Sequence, residues 1–501
     1  MDNYAAMIGD ARKAFATGRS RPIEWRKEQL RNFIRMIEEN ESVFAKALNE
    51  DLNKPKQEAI TLEIGYLANI AKATINDIDE WAKDEYVEKN LLTMLDTTYI
   101  RREPYGVVLI LGAWNYPVQL SLAPLVGAIA AGNAVFIKPS ELAPSSAETI
   151  AKLLPRYLDP ELFKVVNGGI PETTELLRQK FDYVFFTGST GVGKIVAAAA
   201  SKNLTPCTLE LGGKCPVFID STVNMEIAVK RILWGKMINM GQTCVAPDYL
   251  ICDEATRDKF VATAKRIYRE FFGPDASKSP DLGRFINDRN FDRVKKLLDE
   301  TGGVVAFYGG QTDAYERFMD LSIVTDVTGE DSLMSEELFG PVLPVVTAKT
   351  TEDAMEFVNS REKPLSLYIF TEDEATKKKI VDGTSAGSVC MNDVIVQLSV
   401  ETLPFGGVGT SGYGSYHGRY TFQTFSHAKS VLVRDFGFIG ENLGIARYPP
   451  YSDKKIATIS SLVKTRSFPK IPFWLKYIVW MGLGAGIANL YPLAVEKYNK
   501  M

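Results

Sequence analysis

Apolar positions recur at helical spacing through WRKEQLRNFIRMIEENESVFAKAL, set among alternating charges, and this period predicts helices from residue 13 to about 83. The period then changes. Short apolar runs alternate with helix-like stretches: VVLIL at 107, a helix over Val118 to Ala131, AVFIK at 134, a helix near Ser145 to Leu154, LFKVV at 162, a helix near Glu172 to Lys180, and YVFF at 183. Strands that alternate regularly with helices predict a parallel, doubly wound α/β sheet, which binds ligands at the carboxyl ends of its strands.

A second series begins after about residue 211. PVFI at 216 precedes a helix from Met225 to Met240, and YLIC at 249 precedes a helix from Thr256 to Phe272; VVAF, LSLYIF and SVCM follow. This pattern predicts a second α/β domain, with HAKSVLVRDF at 427 to 436 as a strand that pairs elsewhere. Gly212 and Gly213 at the junction suit a hinge-like turn. Tandem repeats and low-complexity segments are absent from the sequence.

One turn in the first series carries chemistry. In VFFTGSTGVGKIVAAAA, Gly188 to Lys194 spells G-x-x-x-x-G-K, a phosphate-cradling pattern, but the Mg²⁺-ligating Ser or Thr that should follow the lysine is Ile195. An apolar run, a Gly/Ser/Thr turn and an alanine-rich helix remain. The free amides at that helix start favour an anion, so a phosphate is expected and its identity is open.

Composition narrows the function classes. The chain has 501 residues, 46% of them hydrophobic and 24% charged, which suffices for more than one folded unit with its own core. With 58 basic and 62 acidic residues interspersed, it offers no basic stripe, and nucleic acid is not an expected partner. The first twenty residues lack an uninterrupted apolar core, so no cleaved secretory signal is expected. Five scattered cysteines do not form a disulfide framework, and a reducing compartment is expected. Only His417 and His427 exist, in no metal-ligand spacing, so no metal site is expected and carboxylates carry any proton work.

Each candidate residue also has a bland reading. Cys244, in MINMGQTCVAPDY, is either a small buried hydrophobe or a nucleophile placed where the chain turns and backbone amides become free. The other four cysteines lie in or beside apolar runs and read as structural. Glu210, in TLELGGK, either faces solvent or faces a cleft in which burial raises its pKa toward general-base work. Asn115, in GAWNYP, is a turn residue or an amide donor for a developing oxyanion. Glu337, in EELFGP, could be a solvated loop charge.

Together these segments resemble the aldehyde dehydrogenase superfamily. WNYP at 114, KPSE at 138, FTGSTGVGK at 186, ELGGK at 210, GQTC at 241, EELFGP at 336 and PFGGVG at 404 occur in the family's order, and the resemblance covers roughly residues 1 to 440. APDY after the cysteine and SGYGSYHGRYTFQTFSH at 411 resemble the class 3, or fatty aldehyde, branch. The resemblance implies a Rossmann-type dinucleotide-binding domain over 1–83 and 103–211, and a catalytic domain over 212–423. It also implies a small oligomerisation arm over 84–102 and 424–440, followed by an extension over 441–501.

It further implies an NAD(P)-dependent oxidation of aliphatic, fatty or aromatic aldehydes. Cys244 would attack the carbonyl to form a hemithioacetal; Asn115 and the Cys244 N–H would stabilise the oxyanion. Glu210 would activate the water that hydrolyses the resulting thioester. For the cofactor, the family pattern sets Lys138 and Glu141 at the adenosine ribose, and Gly188, Ser189 and Gly193 at the turn near the pyrophosphate. Glu337 and Phe339 would hold the nicotinamide ribose. The carboxylate of Glu141 favours NAD over the 2′-phosphate of NADP, with NADP as the alternative. Lys194 then reads as a helix-surface residue.

Beyond residue 440 the chain leaves the minimal family pattern. YIVWMGLGAGIANLYPLAV, 477 to 495, is 19 residues without a charge, about 28 Å as a helix against a hydrocarbon core of about 30 Å. Basic residues precede it, and aromatics suit an interface. It is expected to anchor the protein to the cytoplasmic face of an intracellular membrane, the endoplasmic reticulum by branch resemblance. The alternative is a capping helix on a cytosolic protein. The branch also implies a homodimer. A non-catalytic binding protein and a nucleotide triphosphatase are the competing functions.

Overall fold

The structure, a computed structural model, describes residues 4–434 and 436–464. VVLIL, AVFIK and YVFFT form the strands Val107–Leu111, Ala134–Lys138 and Tyr183–Thr187, and every residue in the three is buried. Continuous apolar strands of this kind belong in a parallel sheet covered on both faces. The sheet has the order Gly412–Tyr413, Cys207–Glu210, Tyr183–Thr187, Val107–Leu111, Ala134–Lys138, Phe163–Val165. All neighbours are parallel except Gly412–Tyr413, which runs antiparallel to Cys207–Glu210. Strand order reverses beside Val107–Leu111, which opens a crevice at the carboxyl ends.

Helices at the N-terminal end begin earlier than the apolar period predicts, at Tyr4, and continue through Ile23–Glu39, Glu41–Leu52 and Gly65–Trp81. The helix Pro117–Ala131 packs among them and is buried almost throughout. Its proline at the first turn suits a helix start, and Gly132 ends it in the left-handed region at φ 91°. Thr190–Lys202 starts at Ser189, whose side chain accepts a hydrogen bond from the N–H of Val192.

The second sheet has seven strands, in the order Val304–Tyr308, Ser322–Thr325, Val342–Thr347, Tyr249–Cys252, Pro216–Ile219, Ser366–Phe370, Ser388–Met391. The apolar pattern did not predict Ser322–Thr325, which is only four residues long, or Val342–Thr347, which contains Pro344. The helix predicted to Met240 ends at Met237, because Asn239 and Met240 adopt left-handed backbone at φ 50° and 57°. A third sheet joins Glu85–Tyr86, Thr97–Pro104 and Ser426–Val433, so the strand expected at 427 to 436 pairs there.

The chain divides into two compact units. One comprises Met1–Lys83 with Arg101–Lys429 and contains both large sheets; the other comprises Asp84–Ile100 with the described residues from Ser430 onward. In the second unit Arg434 pairs with the buried carboxylate of Asp96 at 3.3 Å. Among the described residues no helix is long and apolar enough to cross a membrane, and segment 477–495 lies outside those residues.

Candidate active site

Within the larger unit, the carboxyl ends of the six-stranded sheet meet the amino ends of strands in the seven-stranded sheet. Asn115 follows Val107–Leu111, Lys138 ends Ala134–Lys138, Gly188 and Ser189 follow Tyr183–Thr187, and Glu210 ends Cys207–Glu210. From the other side come Cys244, ahead of Tyr249–Cys252, and Glu337 and Phe339, ahead of Val342–Thr347.

Asn115 is 4% exposed, and its Nδ2 donates to the carbonyl of Gln242 at 3.1 Å, two residues before Cys244. Gln242 is fixed in turn: Nε2 donates to the carbonyls of Asn239 and Arg284, and Oε1 accepts from the N–H of Ile286. The loop that carries the thiol has its carbonyls tied back. Cys215 Sγ donates to the Cys244 carbonyl at 3.4 Å, and the Tyr368 hydroxyl donates to that of Val245 at 2.5 Å.

Electrostatics mark the same spot. Burial pushes the Cys244 thiol up to about 12, the carboxylates of Glu337 and Glu210 add to the shift, and the N–H groups of Cys244 and Val245 oppose it. Burial raises Glu210 well above the usual carboxylate range. Neither oxygen of Glu210 has a hydrogen-bond partner among the described residues. The side chain is turned away from solvent, and a buried carboxyl group left without partners is a functional candidate. Glu337 is raised to about 8 by burial and by Asp248, against the N–H of Gly213 and the charges of Lys214 and Arg293.

The Glu337 segment is clamped from two sides. Lys214 Nζ donates to the carbonyls of Leu333 and Glu336 at 2.8 and 2.9 Å and pairs with Asp248 at 3.2 Å. Arg293 donates to the carbonyls of Glu337 and Leu338 at 3.1 and 2.7 Å. Phe339 is left-handed at φ 53° and meets Trp114 edge-on, with ring centroids 5.4 Å apart. Gly212 and Gly213 serve close approach: a Cβ on Gly213 would lie 3.2 Å from Pro364 Cα. Lys138 and Glu141 are joined to each other, Nζ to Oε2, at 2.5 Å. Among the described residues all five cysteines are free, and no cluster of His, Cys, Asp and Glu could hold a metal ion.

A model of the family described as "Aldehyde dehydrogenase family" matches residues 1–431. The chain belongs to the aldehyde dehydrogenase family. It is 48% identical over 446 residues to aldehyde dehydrogenase family 3 member A2 of Rattus norvegicus, covering 89% of this chain and 91% of that protein. It is 48% identical over 450 residues to the dimeric NADP-preferring aldehyde dehydrogenase of Canis lupus familiaris, covering 90% of this chain and 98% of that one. A solved substrate-bound state of Staphylococcus aureus AldH superposes with a TM-score of 0.88 at 41% identity, covering 93% of this chain and all of that one. The class 3 branch and the aldehyde dehydrogenase fold expected from the motifs are thus shown.

The dinucleotide that aldehyde dehydrogenases use fits the residues present. At the start of Thr190–Lys202, a Cβ on Gly191 would meet nothing within 4 Å, and at the end of the strand that leads into it Thr187 Oγ1 is buried without a partner among the described residues. Gly188 and Gly193 are needed for packing, since a Cβ there would lie 2.5 Å from Phe186 Cζ or 2.7 Å from Leu211 Cδ2. Lys194 and Ile195 are exposed on the helix surface. Sequence reasoning missed Lys54, Glu63, Asn239 and Gln242 in this aldehyde dehydrogenase; Asn239 and Gln242 are polar residues in the otherwise apolar run MINMGQ, while Lys54 and Glu63 lie in a segment rich in polar residues and carry no local signal.

Proposed function

We propose that this aldehyde dehydrogenase oxidises medium- and long-chain aliphatic aldehydes, and aromatic ones, to carboxylic acids through a thioester on Cys244. The convergence of Cys244, the Asn115 amide and the buried, unpartnered Glu210 carries this reading. Cys244 releases its thiol proton, the net proton of the reaction, and the thiolate attacks the aldehyde carbon while the carbonyl π-electrons move to oxygen. Nδ2 of Asn115 and the backbone N–H of Cys244 donate to that oxyanion, the kind of donor whose loss costs about 10²- to 10³-fold in turnover. The bound dinucleotide supplies the hydride acceptor, and the acyl group stays on sulfur. Glu210 takes a proton from the water that adds to the thioester, and the acid leaves as the thiol is restored.

Lys138, Glu141, Ser189, Glu337 and Phe339 would hold the dinucleotide. Glu141 disfavours a 2′-phosphate, but its pairing with Lys138 offsets that charge. With a relative named NADP-preferring at 48% identity, the reading is use of NAD with NADP accepted. That relative's name also says dimeric, which supports a homodimer built through the arm. Segment 477–495 is proposed as an anchor at the cytoplasmic face of an intracellular membrane, because of its uncharged length; truncation after residue 464 should release the protein, and an unchanged membrane fraction would refute the anchor.

The function is tested by following reduced cofactor at 340 nm with a panel of aldehydes of increasing chain length. Wild-type turnover should rise toward longer chains and vanish in Cys244→Ala. Turnover that survives in the mutant would refute the nucleophile assignment, and activity confined to short aldehydes would refute the chain-length reading.

A further inference from the structure

A buried ion pair stands behind the oxyanion donor. Lys54 Nζ lies 2.5 Å from Glu63 Oε1, and neither side chain has any exposure. Burying two charges is costly, and such pairs are weak stabilisers, so their value lies in fixing one arrangement over others. Lys54 Nζ also donates to the backbone carbonyl of Asn115 at 3.1 Å and sits 4.0 Å over the ring of Tyr116. Glu63 uses its second oxygen to accept the N–H groups of Val118 and Gln119, both at 3.0 Å, which are free donors in the first turn of Pro117–Ala131. The pair thus grips the chain at the Asn115 carbonyl itself and again at Val118 and Gln119, just beyond it.

A second carboxylate on the same segment grips the opposing loop. Glu58 Oε2 accepts the N–H of left-handed Asn239 at 2.9 Å, and Asn239 Nδ2 donates to the carbonyls of Asn115 and Gln242 at 2.8 and 3.1 Å. On an α-helix, residues five apart point about 140° away from each other. Here the chain widens into a π-turn over Ala59–Ile64, whose i to i+5 closure brings such residues toward one side. Glu58 and Glu63 therefore serve one buried cluster that spans from the Asn115 turn to the loop ahead of Cys244.

We infer that Lys54 and Glu63 are positioning residues that hold the Asn115 amide in register with Cys244, with Glu58 fastening the loop on the other side. This rests on the reading of Asn115 as oxyanion donor. A cap on Pro117–Ala131 would need Glu63 alone; the bond from Lys54 to the Asn115 carbonyl is what a positioning role adds.

A double-mutant cycle on the full-length protein tests it with Glu63→Gln, Asn115→Ala and both together. Glu63→Gln should lower kcat about 10- to 100-fold, the scale of a displaced catalytic group, with the cofactor KM and the iodoacetamide alkylation rate of Cys244 unchanged. In the Asn115→Ala background the same replacement should cost less than about twofold, since coupled residues are not additive. Equal losses in both backgrounds would show a merely structural role and overturn the inference. Full turnover in Asn115→Ala alone would instead remove the donor reading, and the inference with it. If Glu63→Gln does not fold, Lys54→Met/Glu63→Gln removes both charges without leaving one buried alone, and the same comparison decides.

Discussion

Gly212 and Glu337 meet so closely that a methyl group on the glycine would lie 2.0 Å from Oε2 of the carboxylate. Gly212 is needed for this approach and not for a left-handed backbone, since its φ is not positive. In Gly212→Ala the flexible end of Glu337 swings aside while the backbone stays. The expected result is a cofactor KM raised about tenfold, the scale of one lost charged hydrogen bond, with the melting point moved only a few degrees. A large fall in melting point with an unchanged KM would contradict this.

The thiol of Cys244 predicts a pH dependence. Its pKa is pushed up to about 12, so the thiolate is a small fraction at neutral pH and grows as pH rises. In the cofactor-free enzyme, alkylation of Cys244 by iodoacetamide should accelerate about tenfold per pH unit between about pH 7 and 9. A plateau in that interval would show a thiol far more acidic than its surroundings imply.

Lys214 predicts a stability effect. Burial lowers its pKa and Asp248 opposes that shift, while its ammonium also holds the carbonyls of Leu333 and Glu336. Lys214→Met would leave Asp248, itself 3% exposed, without this partner. The change should cost about 3 kcal/mol and lower the thermal midpoint by several degrees. Cofactor affinity should fall with it, because the Glu337 segment loses one of its two clamps. Calorimetry and equilibrium titration with NAD check the two effects separately.

Glu141 predicts cofactor preference. Its charge is shared with Lys138, so Glu141→Gln removes the repulsion against a 2′-phosphate and frees the lysine for it. The ratio of kcat/KM for NADP over NAD should rise about 3- to 10-fold, the scale of one partly screened charge. An unchanged ratio would place the 2′ position away from this pair.

The parallel core was legible because its strands announce themselves. VVLIL, AVFIK and YVFF are continuous apolar runs, the signature of strands buried on both faces. The helix end at Met237 was not legible: WGKMINM keeps the helical pattern, and only the N–H of Asn239 captured by Glu58, 181 residues earlier, explains the left-handed break. The chemistry-bearing motifs were legible from the family resemblance, and their residues alone left each reading open. Nothing local in NKPKQEAITLEIG distinguishes Lys54 and Glu63 from the solvated charges of any amphipathic helix. Their roles come from packing against a turn 55 to 61 residues away.

The tied-back carbonyls around Cys244 have a kinetic meaning. With the Cys244 carbonyl accepting from Cys215, the Val245 carbonyl from Tyr368 and the Thr243 carbonyl from the N–H of Ala246, each peptide plane has one orientation that satisfies its oxygen. On the reading of Cys244 as nucleophile, the N–H groups of Cys244 and Val245, which share planes with the Thr243 and Cys244 carbonyls, are therefore aimed before any substrate carbonyl arrives. A flexible loop would repeat that reorganisation at every turnover; here it is completed once, when the chain folds.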